Sequence, residues 1–160
     1  MKWINKTLPE TNLQKFIFIF LPFACGYFLS YLYRSTNAVL APYLSNDLNL
    51  NAEQLGFITS AYFLTFGLFQ LPLGILLDKY GARIVQSFLF LIAATGAILF
   101  SFGDDVLSLT IARGLIGLGV SGALMAAFKA FAVWFPKERL PLLIGLFMSA
   151  GGIGAIVASR

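Results

Sequence analysis

Gly74-Ile75-Leu76-Leu77-Asp78-Lys79-Tyr80-Gly81-Ala82-Arg83 interrupts two long apolar runs, Gln54 to Leu77 before it and Ile84 to Phe100 after it. An α-helix rises about 1.5 Å per residue, so roughly 20 apolar residues cross a hydrocarbon core of about 30 Å. The intervening segment holds three charges, a glycine and no room for a further element. Two membrane-crossing helices joined this closely must run antiparallel.

Outward from this pair the same pattern repeats. Phe16 to Leu40, Val106 to Phe135 and Pro141 to Ser159 are further apolar stretches, and Pro42 to Glu53, Ser101 to Asp105 and Pro136 to Leu140 form the remaining short loops. The expected fold is an all-α membrane protein with five transmembrane helices near 16–40, 54–77, 84–100, 106–135 and 141–159. Residues 1–15 form a tail and 16–160 the membrane domain. Of the 160 residues 59% are hydrophobic and only 11% charged, with mean hydropathy +0.84. A soluble domain carries about a quarter charged residues, so the lipid bilayer is the expected partner and no nucleic acid is. No window shows the apolar/polar alternation of a barrel strand.

The cations lie on one side of the membrane. Lys2, Lys6, Lys15, Lys79, Arg83, Lys137 and Arg139 share one face, whereas the loops of the other hold Asp47, Glu53, Asp104 and Asp105. Lys and Arg in short loops stay cytoplasmic, which puts the N-terminus inside, in a multi-pass protein of the bacterial cytoplasmic membrane. The first apolar run continues for about 25 residues, longer than a signal-peptide core, so no cleavage is expected.

There is no histidine, one cysteine (Cys25), and no carboxylate at membrane depth. Metal, cofactor and hydrolytic chemistry therefore lack their usual groups, and the chain is read as a non-enzyme. What the membrane interior does contain is arginine. Arg34 lies about seven residues from one end of the first helix. Tyr27, Ser30, Tyr31, Arg34 and Asn37 fall within about a third of its circumference at 100° per residue. Arg113, about eight residues into the fourth helix, lies at similar depth. Buried arginines normally face a partner, the bundle interior or water, although Arg113 could also extend to the interface. Lys129, nearer the opposite end of that helix, is expected to extend its ammonium to the headgroups. Two guanidiniums at one depth suit a carboxylate or phosphate, because each offers planar, permanently charged, bidentate donors. Tyr27, Tyr31, Arg34, Asn37 and Arg113 are the candidate substrate residues.

In the opening segment, Gly74, Leu76, Asp78, Lys79, Gly81 and Arg83 match Gly-x-Leu-x-x-Asp-Arg/Lys-x-Gly-Arg/Lys-Arg/Lys, and Ala82 departs from it. This resembles the signature of the major facilitator superfamily between helices two and three. Arg113-Gly114-Leu115-Ile116-Gly117-Leu118-Gly119 is similar to the family's Arg-x-x-x-Gly-x-Gly element, and Gly114, Gly117, Gly119 and Gly122 would thin helix four for close packing. The resemblance implies an incomplete six-helix half of a twelve-helix secondary transporter. Asp78, Lys79 and Arg83, with Gly74 and Gly81, would form a gating turn against the second half, which the chain lacks. It also implies that helices one and four line the substrate cavity, and that this chain alone does not transport.

Tyr31 to Arg34 and Ala41-Pro42-Tyr43-Leu44 are similar to the first helix of organophosphate transporters of the superfamily, with Ser35 where those carry a basic residue. Organic anions, amino acids and organic phosphates all remain candidate substrates. The alternative is a truncated or stand-alone membrane protein without transport activity, acting in regulation or assembly.

Overall fold

The structure is a computed structural model that describes residues 12–159. Among the described residues five helices are long and apolar enough to cross a membrane: α1 (Leu13–Asp47), α2 (Ala52–Tyr80), α3 (Ala82–Ser101), α4 (Val106–Trp134) and α5 (Lys137–Ala158). No strand occurs among the described residues. Most of the expected tail, including Lys2 and Lys6, lies outside them, and Lys15 belongs to the first helical turn.

α1 runs past the expected Leu40, through Pro42, to Asp47. Proline removes one backbone donor, and membrane helices tolerate that loss where neighbours re-satisfy the freed groups. The helix stops just beyond, where Asn49 turns to φ 52° and the Ser45 hydroxyl donates to the Leu50 carbonyl at 2.6 Å. Near its start, Phe16–Phe20 form a π-turn in which the Leu21 N–H reaches back to the Phe16 carbonyl, immediately before Pro22.

Polar caps fix the starts of α2 and α4. Asn51 accepts from the Gln54 N–H at 2.8 Å while Gln54 accepts from the Asn51 N–H, and Asp105 accepts from the Ser108 N–H at 2.9 Å. The hydrogen bonds from Ser108 hold the Asp105 carboxyl below the usual carboxylate range. The α4 cap is therefore intact at neutral pH and is lost only as the pH falls through that lowered range. Gly81 alone joins α2 to α3, with φ +81°, a backbone that residues with a Cβ rarely adopt.

α4 is the central helix and the most buried of the five. Its glycines explain how. A Cβ on Gly117 would run into the Tyr62 carbonyl of α2, and one on Gly119 into the Ala93 amide nitrogen of α3. Backbones approach this closely only where side chains are absent. Gly96 of α3 answers from the other side, since its Cβ would lie 2.9 Å from the Ala112 carbonyl. The Thr65 hydroxyl donates to the Gly114 carbonyl at 2.8 Å. α4 breaks at Ser121 and Gly122, between Val120 and Ala123, and the Gln70 amide donates to the freed Ser121 carbonyl at 3.1 Å.

Gln86 of α3 is buried beside Gly122, and neither of its amide atoms has a partner among the described residues. A buried unpaired amide costs about 1–3 kcal/mol. Gln86→Met should accordingly raise the thermal unfolding midpoint in detergent, by the equivalent of about 1 kcal/mol; a lowered midpoint would mean that the amide is satisfied.

α1 packs on α5 rather than on α2, which it meets over a short stretch only. Phe20, Phe131 and Phe147 join α1, α4 and α5 at one end, with the Phe131 and Phe147 rings edge-on at 5.4 Å. Elsewhere in the bundle a cavity opens between α1, α2, α4 and α5.

Candidate substrate cavity

The cavity has a volume of about 540 Å³ and is lined by Tyr31, Arg34, Ser35, Asn37, Ala38 and Ala41 of α1, Thr59, Tyr62 and Phe63 of α2, Arg113 of α4 and Ala155 of α5. Both arginines singled out in the sequence reach it. Among the described residues no aspartate or glutamate lines it.

The two guanidiniums differ in what already holds them. Arg34 lies 5.3 Å from the Phe63 ring centre and 5.9 Å from that of Tyr31, and forms no hydrogen bond or ion pair among the described residues. Its donors are free for a ligand. Arg113 is buried; its Nη1 donates to the Tyr33 carbonyl at 3.2 Å, its Cζ lies 4.6 Å from the Phe100 ring centre, and its Nε has no partner among the described residues. It neither extends to the interface nor pairs with Asp105. Arg113 ties α4 to α1 through Tyr33 and adds positive potential to the cavity that Arg34 also lines.

Asn37 donates from Nδ2 to the Thr59 hydroxyl oxygen at 2.6 Å, and that hydroxyl donates to the Leu55 carbonyl at 2.7 Å. Thr59, Tyr62 and Phe63 are cavity residues that sequence reasoning missed. They lie on α2, whose register against α1 only the packing reveals.

Tyr27, one turn deeper on the polar stripe, lies outside the cavity lining. Its ring stacks on Phe147 at 4.3 Å and its hydroxyl approaches those of Tyr31 and Met148 Sδ at 3.4 and 3.3 Å. α5 covers it, because Gly151 leaves room for the ring. Tyr27 thus backs the Tyr31 side chain, its ring edge-on to that of Tyr31 at 5.0 Å.

At the other end of the bundle, Lys129 forms an ion pair with Asp78. The ammonium extends toward the exposed end of the bundle, where α4 passes close enough to the end of α2 for a carboxylate to take it. The Asp78 side chain is 84% exposed, so the pair contributes at most about 1 kcal/mol. The Lys79 ammonium lies 5.2 Å from the Tyr80 ring centre. Gly74 faces nothing within 4 Å of an added Cβ, so no helix of the described residues uses its thinness. Cys25 is exposed on α1.

The sequence profile of the Major Facilitator Superfamily matches residues 23–159. The chain belongs to this superfamily. It is similar to the uncharacterized transporter YybO of Bacillus subtilis, with 36% identity over 82% of the chain and 30% of that protein. It is also 30% identical to the hexuronate transporter of Escherichia coli K12 over 83% of the chain and 31% of that protein. The probable sulfoacetate transporter SauU of Cupriavidus necator is 30% identical over 82% of the chain and 30% of its own length. The chain thus spans about 30% of the length of the relatives it matches. In this superfamily member, five apolar helices form a multi-pass membrane bundle, with a two-arginine cavity between α1, α2, α4 and α5.

Proposed function

We propose that the cavity is part of the substrate site of a secondary transporter for small organic anions. The observation that carries this reading is the joint presence of Arg34 and Arg113 in one cavity with no carboxylate lining it among the described residues. An uncompensated pair of guanidiniums at membrane depth is costly unless a ligand or water offsets it, and a carboxylate matches Arg34's planar donors. The hexuronate and sulfoacetate named for two relatives are both anions. Organic phosphates fit the same donors; an amino acid's ammonium would have no counter-charge among the lining residues.

In this reading Arg34 is the anchor, Tyr31, Asn37 and Tyr62 are polar contacts, and the rest of a full-length transporter supplies the opposite wall. The turn of Gly74, Asp78, Lys79, Gly81 and Arg83 would dock against that second half and gate the cytoplasmic side, with Asp78 held meanwhile by Lys129. Lys79, Arg83, Lys137 and Arg139 share the end expected to be cytoplasmic.

Competition binding tests the proposal. With the protein in lipid nanodiscs, labelled galacturonate should bind saturably and be displaced by other organic anions but not by neutral galactose. Equal displacement by galactose, or no saturable binding, would contradict it.

A further inference from the structure

We infer that Asn37 sets the specificity of this cavity by presenting a fixed hydrogen-bond acceptor beside Arg34, and that the preferred ligand is a carboxylate carrying a hydroxyl close to the charged group. The inference rests on the anion-binding reading above. It starts from a chain of two hydrogen bonds. Thr59 has one hydroxyl proton, and the Leu55 carbonyl takes it at 2.7 Å. The Thr59 oxygen can then only accept, so the group that Asn37 turns toward it at 2.6 Å must be its NH2. The amide orientation follows from proton accounting, and its carbonyl oxygen, Oδ1, is the end left without a partner among the described residues.

Asn37 lines the same cavity as Arg34. Residues three apart on a helix have Cβ atoms about 5–6 Å apart, so the donors of Arg34 and the acceptor of Asn37 address groups within a few atoms of each other. Tyr31, Ser35 and Tyr62 also reach the cavity, but a hydroxyl can turn to donate or accept and so discriminates little. Oδ1 can only accept. It requires a donor from the ligand, and a ligand without one leaves it unpaired. Such a mismatch is the strongest discriminator that a polar site offers. The donor must be uncharged, because an ammonium would meet two guanidiniums and no carboxylate in the lining.

L-malate and succinate differ by one hydroxyl and separate the possibilities. Titrated into the protein in lipid nanodiscs, malate should bind roughly tenfold or more tightly than succinate. Asn37→Leu should bring the ratio close to one, by weakening malate far more than succinate. Thr59→Val frees the amide and should shift the ratio the same way, and Thr59→Ser should restore it, as a purely structural role would not. Equal affinities for the two acids in the unaltered protein would overturn the inference, as would L-aspartate, with an ammonium in place of the hydroxyl, binding more tightly than malate. Failure of all three to bind would instead remove the anion reading itself, and this inference with it.

Discussion

Arg34→Ala is expected to weaken organic-anion binding by roughly 100-fold while leaving the fold intact. A hydrogen bond to a charged group is worth about 1.5–3 kcal/mol, and each 1.4 kcal/mol is tenfold in affinity, so losing a two-bond guanidinium clamp costs about two decades. The stability half of the prediction follows from Arg34's surroundings. It is exposed, and among the described residues its only partners are the Tyr31 and Phe63 rings. Arg34→Lys keeps the charge but loses the planar fork, and should fall between the two. Titration of each variant beside its thermal midpoint checks both halves. Unchanged affinity in Arg34→Lys would argue against a bidentate anchor.

Gly119→Val is expected to abolish the folded bundle. The added side chain would enter space held by the Ala93 amide nitrogen and Leu89 carbonyl of α3, which are backbone atoms within a helix and cannot swing away. Overpacking a well-filled contact typically costs 1–3 kcal/mol, and forcing two backbones apart should reach about 3 kcal/mol or more. α4 would lose its contact with α3, and with it the placement of Arg113. Gly145→Val provides the control, because nothing lies within 4 Å of an added Cβ there. On gel filtration in detergent, Gly145→Val should elute as the unaltered protein does and Gly119→Val should aggregate.

These two positions show what the sequence could and could not convey. The spans were legible because about 20 apolar residues in succession have few other uses, and the turn at Asp78 to Arg83 because charge and glycine interrupt the apolar runs abruptly. The α4 glycines were legible as a packing element, since small residues at helical spacing imply close approach, but which helix each one meets was not. Arg34 and Arg113 stood out because charge at membrane depth is rare.

The rest depended on how helices face one another. Tyr27 and Tyr31 share a stripe, yet only Tyr31 reaches the cavity, because α5 closes over Tyr27 through Gly151. Thr59 and Tyr62 carry no charge and resemble ordinary helix residues until α2 is set beside α1. The end of α1 was misplaced because proline usually marks a boundary, whereas here the helix continues through Pro42. The partner of Lys129 was not legible because Asp78 is distant in sequence, although α4 brings the two together.

The central claim is that an organic anion rests on the Arg34 guanidinium, and nitrogen-detected NMR of arginine side chains tests it most directly. With the protein in nanodiscs and signals assigned by substitution, adding malate or galacturonate should shift the Arg34 Nε–H resonance saturably. Arg83 and Arg139, outside the cavity lining, should stay where they are. Anion-dependent shifts confined to Arg83 and Arg139, with Arg34 unmoved at saturating ligand, would contradict the account.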